Sequence, residues 1–276
     1  MSEIVLYEVK NQVAIITLNR PEVHNAQNPQ LLEDLDACWT KAAKDNDVKV
    51  ILLKANGKNF SAGHDLAVPE AEKDVFANFD YENRGITGQY LWEQSHYFEY
   101  SRRWRNNPKP SIAVVQGACI AAGLMLCWPC DLIIAADNAW FSDPTIVMGI
   151  AGVEYHGHTW ELGPRKAKQM LFTADRITAL EAEKLGMVNE VVPLAEVTAF
   201  SIAMAEKIAT QDMFSLMMAK RVVNQTIDTM GQPAALQAAF DIHEFQHTQC
   251  LARSGGKSAV LTRDVAALKK NNESRS

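Results

Sequence analysis

The stretch Lys109-Pro-Ser-Ile-Ala-Val-Val-Gln-Gly-Ala-Cys-Ile-Ala-Ala-Gly123 decides how this chain folds. Its first half, Ser111 to Gln116, is a continuous apolar run of the kind that a strand buried on both faces requires. From Gly117 onward the residues are small, and Gly117 to Cys130 reads as a turn leading into a helix. A helix that opens on small residues leaves backbone N–H groups without intrahelical partners and lets a ligand atom approach them. Two such donors converging on one oxygen would form an oxyanion hole. Close helix–strand packing accounts for the same small residues, and the stretch by itself leaves both readings standing.

A second segment of the same type, Phe60-Ser-Ala-Gly-His-Asp-Leu66, follows another buried run at Val48–Leu53. Upstream, Val5 to Leu18 holds two β runs with a turn at Lys10-Asn11-Gln12, closed by Asn19-Arg20-Pro21 because proline disfavours helix in the residue before it. Leu31, Leu32, Leu35 and Trp39 recur at helical spacing, so Pro29 to Asp45 is predicted helical. The polar stretch Asp65 to Gly88 reads as a loop or short helix, and Tyr90 to Arg105 as an aromatic-rich helix. Leu132 to Ala136 is another strand. Helices follow at 165–173, 179–185, 194–210, 214–225 and 233–251. Strands and helices alternate to about Pro193, and only helices follow. This predicts an α/β layer fold for residues 1–195 and a helical region for 196–276.

The 276 residues are 47% hydrophobic and 22% charged, an ordinary globular balance that excludes disorder as the main state. The net charge of −6 argues against a general nucleic-acid binder. The longest apolar run, Cys119 to Pro129, is too short to span a bilayer, and the N-terminus lacks a signal-peptide layout. Five cysteines, an odd number lying mostly in apolar stretches, read as reduced thiols. The expectation is a soluble cytoplasmic protein with no nucleic-acid or membrane partner.

Taken in order, Asn19-Arg20-Pro21, Phe60 to Leu66, Lys109 to Gly117, Ala121-Ala-Gly123, Cys130-Asp131, Phe141-Ser-Asp-Pro144, Arg165 to Ala182 and Gly186 to Val192 resemble the crotonase superfamily, the enoyl-CoA hydratase/isomerase family. The resemblance covers roughly residues 4 to 225; from about Gln232 the match is poor. It implies a spiral of ββα units with a C-terminal helical region that packs in homotrimers or dimers of trimers. It also implies an acyl-CoA thioester as ligand, with coenzyme A entering only as part of the substrate and with no separate cofactor. By position, the N–H groups of His64 and Ala122 would hold the thioester carbonyl, and the Ala62 carbonyl would bind the adenine amino group. Asp65 would fix the first donor loop. Gly63, Leu66 and Gly123 fall in the same binding segments, and Trp92 and His96 on the aromatic helix would line the acyl pocket. Ala122 departs mildly from the family, where glycine is usual.

The acid/base positions depart further. Hydratases of this family carry two glutamates, and the aligned positions hold Met125 and Thr145. Neither side chain can move a proton near neutral pH, so the standard two-glutamate water addition is not available. Glu154 is the preferred replacement, with a loop carboxylate or a pair with Arg165 as the structural alternative. Asp143 is next, since burial between Phe141 and Pro144 would raise its pKa; a turn cap is its alternative. An inward-turned His64 imidazole is a third candidate. The expected activity is thus of enoyl-CoA hydratase/isomerase type but atypical. The rivals are an isomerase or hydrolase using Glu154, or a non-catalytic acyl-CoA-binding protein. One signal competes: His243-Glu244-Phe245-Gln246-His247 matches the zincin pattern His-Glu-x-x-His. The possible third ligands in sequence, Asp264 and Glu273, lie in a polar tail and the surrounding α/β pattern does not suit a metalloprotease, so no metal is expected. Cys127 and Cys130 have no second pair to complete a zinc site and read as core.

Overall fold

The computed structural model describes residues 3–66 and 81–254. Part of the expected polar loop after Asp65, together with Asp264, Glu273 and the rest of the tail beyond 254, lies outside them. The main sheet has the order β1-β2-β3-β4-β6-β9. β1 (Val5–Lys10) and β2 (Val13–Leu18) form an antiparallel hairpin. Its two-residue turn puts Asn11 and Gln12 at positive φ, 50° and 65°, the mirror-image turn geometry that matches the twist of paired strands. β3 (Val50–Ala55), β4 (Ser111–Val115), β6 (Leu132–Ala136) and β9 (Glu190–Val192) then add in parallel.

Side chains alternate across each strand, and both faces are covered. Ile16, Leu18, Ile51, Leu53, Ala113, Val115, Ile133 and Ala135 face one hydrophobic core, shared with α1 (Pro29–Lys44). Val13, Ile15, Val50, Leu52, Ile112, Val114, Ile134 and Ala136 face the other. That second face is sealed by Val197, Ala205 and Ala209 of α8 (Val197–Ala209), a helix that the expected division at residue 195 assigns to the tail. Burial on both faces is why the strands read as unbroken apolar runs. α1 starts where it does because the Asn28 side chain accepts the Leu31 N–H and Pro29 stands in the first turn.

A second, smaller sheet joins β5 (Ala118–Ile120), β7 (Trp140–Ser142) and β8 (Ile177–Thr178). Residues 117–130 therefore do not run directly from turn to helix. β5 comes first, followed by a 3-10 turn over Ala121–Gly123 and one helical turn, α5 (Leu124–Cys127). The aromatic helix is also interrupted. A short α2 (Tyr81–Arg84) leads to α3 (Ile86–Glu93), then a π-helical turn at Gln94–Phe98, then α4 (Glu99–Arg105). α6 (His158–Thr173) is kinked at Gly163 and followed by α7 (Ala179–Leu185). α9 (Met213–Thr229) buries none of its own residues, whereas α10 (Gln232–Ser254) turns back onto α3. No helix of the described residues is long and apolar enough to cross a membrane.

Candidate active site

Loops that leave the carboxyl ends of parallel strands are where α/β sheets place their ligands. Here the loops after β3 and β4 are knitted together. The Phe60 N–H donates to Gln116 O at 2.8 Å, the Ser61 N–H to Ala118 O at 3.1 Å, and the Ile120 N–H to Ser61 O at 3.0 Å. Gly63 sits at φ +87°, and a Cβ there would lie 2.8 Å from Ile120 O and 3.3 Å from the Ala122 nitrogen. Only glycine permits this contact. A Cβ on Gly123 would fall 2.8 Å from Ser61 O, so the approach is close from both sides. Ala121, at φ +49°, takes a left-handed turn that few non-glycine residues adopt.

This weave sets which donors are spent. Gln27 gives its N–H to Gly63 O and takes the Asp65 N–H, at 2.8 and 3.0 Å. His64, between those two, keeps its own N–H. Neither the His64 N–H nor the Ala122 N–H finds an acceptor among the described residues, and the same holds for the Ala62 carbonyl as acceptor. Asp65 is tied to Arg20, whose Nη1 lies 2.9 Å from Asp65 Oδ2 and also donates to Ala26 O. Leu66 is the last described residue of this loop.

His64 meets Glu154 directly. Its ring stacks on Tyr97 at 4.1 Å between centroids, and its Nε2 lies 3.2 Å from Glu154 Oε1. Glu154 is buried, and its other oxygen has no hydrogen-bond partner among the described residues. Its partner is thus His64 and not Arg165. Burial pushes the Glu154 carboxyl up, but the His64 and His243 charges outweigh it and bring it down to about 2. It is ionised at neutral pH. One small cavity is lined by Gln27, Leu32, His64, His96, Tyr97 and Met125, among others, which places Met125 beside His64. His96 stacks on Trp92 at 4.5 Å; His96 reaches the cavity, whereas Trp92 is not among its lining. Thr145 is buried with its hydroxyl unpartnered among the described residues. A larger surface pocket around Lys166, Met170, Arg176 and Glu181 contains none of these groups.

Asp143 requires a correction. It is fully buried, yet its pKa falls to about 2 instead of rising. Burial does push it up, but it accepts from His158 Nε2 at 2.9 Å, the Thr145 N–H at 3.1 Å and the Val153 N–H at 3.0 Å. Charge-assisted donors of this kind outweigh desolvation. Asp143 has the partners of a buried clasp holding 143–158 together.

The sequence reading missed Glu93. It is buried beside Glu154, with its Oε1 accepting from Gln89 Nε2 at 2.6 Å. α10 brings His243, Glu244 and His247 to the same place, all buried. His243 Nε2 lies 3.7 Å from both Glu93 Oε2 and Glu154 Oε1. Burial would hold His243 down, but Glu154 and Glu93 raise it to about 9. Burial and the neighbouring Glu93 push Glu244 up to about 11, so it is protonated.

With this geometry in view, the comparisons with known proteins decide the lineage. The enoyl-CoA hydratase/isomerase family model matches residues 8–260. The chain belongs to that family. A crystal structure from Mycobacterium thermoresistibile, described as a probable enoyl-CoA hydratase, superposes with a TM-score of 0.83 at 55% identity over 91% of this chain and 99% of that one. EchA13 of Mycobacterium tuberculosis is 40% identical, over 94% of this chain and 86% of that protein. The 2,3-dehydroadipyl-CoA hydratase of Escherichia coli K12 is 33% identical, over 86% of each. The fold is that of the crotonase superfamily, and the match runs past residue 225, through all of α10. This member of an enzyme family therefore carries Met125 beside a part-buried His64–Glu154 pair, and Thr145 on the Asp143 clasp.

Proposed function

We propose that this protein acts on an acyl-CoA thioester in a reaction of hydratase/isomerase type that passes through an enolate. The carrying observation is the pair of unspent N–H groups, His64 and Ala122, on two loops locked together at Gly63, with the Glu154 carboxylate against the His64 ring. The thioester oxygen would take both N–H groups, so the negative charge of the enolate builds up between two fixed donors. Loss of one such donor typically costs about 2.7–4 kcal/mol. Glu154 would accept the proton leaving the substrate carbon, with its free Oε2 facing substrate while Oε1 stays on His64. The electrons of the broken C–H bond move onto the thioester oxygen. Returning the proton to another carbon shifts the double bond. In a hydration Glu154 would instead take a proton from the water whose oxygen bonds the β-carbon, the C=C electrons would move onto the thioester oxygen, and the proton would go to the α-carbon as the enolate collapses. The Ala62 carbonyl is free to accept the adenine amino group.

The test is turnover of crotonyl-CoA and of a 3-enoyl-CoA. Wild type should convert at least one of them, and Glu154→Gln should lower kcat by about a hundredfold or more. Met125 and Thr145 favour the rival from another class, a non-catalytic acyl-CoA-binding protein, and binding of both esters without turnover would establish it. Thioester hydrolysis would show instead as release of free coenzyme A. The bare α9 supports assembly as a homotrimer or a dimer of trimers, and five free thiols suit the reducing cytoplasm.

A further inference from the structure

Three atoms delivered by two helices converge on one point. His247 Nε2 lies 2.9 Å from His243 Nε2, and Glu93 Oε2 lies 3.7 and 3.8 Å from them. A point equidistant from all three is about 2.0 Å from each, the length of a Zn–N or Zn–carboxylate bond of about 2.0–2.2 Å. We propose that Glu93, His243 and His247 form a binding site for a first-row divalent transition-metal ion, with zinc as the ion the two-imidazole, one-carboxylate set suits.

The tautomer supports this. His243 Nδ1 is 2.7 Å from Gly152 O. A carbonyl oxygen only accepts, so Nδ1 carries one hydrogen; a metal ion that displaces the proton on Nε2 meets a lone pair that faces the other two donors. A ring N–H held by a backbone carbonyl is the usual outer support of a metal-bound histidine. Glu93 is oriented in the same way, since Gln89 holds Oε1 and leaves Oε2 facing the imidazoles.

Hydrogen bonding alone does not satisfy the cluster. The 3.7 and 3.8 Å separations are beyond hydrogen-bond length, and Glu93 Oε2 is buried with no partner among the described residues. An unpaired buried carboxylate oxygen is costly, and a cation at the shared point removes that cost for Glu93 while taking the place of the 2.9 Å His243–His247 hydrogen bond. Glu154 Oε1, also 3.7 Å from His243 Nε2, stands next to this point.

The two histidines are those of the His-Glu-x-x-His pattern, one turn apart on α10. The third donor comes from α3, about 150 positions upstream, which is why the sequence offered only the polar tail.

The proposal does not rest on the acyl-CoA reading, because its test reads metal binding and not turnover. Purified full-length protein is stripped with a chelator, confirmed folded by circular dichroism, and titrated with zinc and separately with cobalt(II). One equivalent of zinc per chain should bind, and cobalt should produce visible d–d absorption that saturates at the same stoichiometry. His247→Ala and Glu93→Gln should each weaken zinc binding by more than about tenfold, the cost of losing even an outer-shell partner, and should abolish the cobalt band. If one variant does not fold, the other decides. Folded, stripped wild type that takes up no stoichiometric zinc overturns the site. Zinc bound with unchanged affinity in the folded variants places the metal elsewhere and overturns it equally.

Discussion

Burial alone would make Asp143 a weak acid, but three donors make it a strong one. Because its folded pKa lies below its ordinary value of 3.8, at about 2, the stabilisation is present above about pH 4 and is lost as pH falls toward 2. The shift is worth about 2 kcal/mol in this fully buried setting. Asp143→Asn should flatten that acid limb in equilibrium unfolding, and an unchanged limb would contradict the assignment. At Gly63, alanine would need a left-handed backbone and would put a methyl group 2.8 Å from Ile120 O. Gly63→Ala should cost about 1–2 kcal/mol in backbone strain alone, read as a lower Tm, and should lower kcat by about tenfold or more through misplaced donors. The small-residue segments around Gly63 and Ala122 were legible as residue types after buried strands, while the His64 and Ala122 N–H groups were picked out by the resemblance. The pairing of His64 with Glu154 was not, because no local signal connects side chains 90 positions apart.

Among the elements, those with a full hydrophobic period were readable. α1, the main-sheet strands β1 to β4 and β6, and the helices after Pro193 fall close to their expected places. β5, β7, β8 and β9 were not, since strands of two or three residues are too short to show alternation. Missing β5 is what turned residues 117–130 into a turn and helix. Glu93 was hidden for a related reason, as one more charge in an aromatic helix whose π-helical turn shifts the faces of its ends. α10 was placed as a helix, but its likeness to the family was misjudged, because two histidines and a glutamate sit on its buried side, where apolar residues are usual. Phe240 holds that side down, with ring centroids 5.2 Å from Tyr90 and 5.0 Å from Phe98. Phe240→Ala should cost about 3–5 kcal/mol and lower Tm in calorimetry. A Tm within a degree of wild type would mean α10 is not docked by this contact.

For the whole molecule, the resemblance carried the fold and the ligand class, while the residues themselves carried the departures from it. Family membership alone would supply two glutamates that this chain lacks. The expected trimer bears on α9, which leaves Phe214, Val222 and Val223 more than half exposed. Val222→Asp combined with Val223→Asp should reduce the solution mass by light scattering to that of one chain, because buried unpaired charge opposes association. An unchanged oligomer would place the interface elsewhere. The central claim is an enolate held by His64 and Ala122 and formed by Glu154. Exchange of the Cα hydrogens of a saturated acyl-CoA in deuterium oxide tests it most directly. Wild type should incorporate deuterium, and Glu154→Gln should bind the ester yet exchange about a hundredfold more slowly; equal exchange in the variant, or none in wild type that binds the ester, would contradict it.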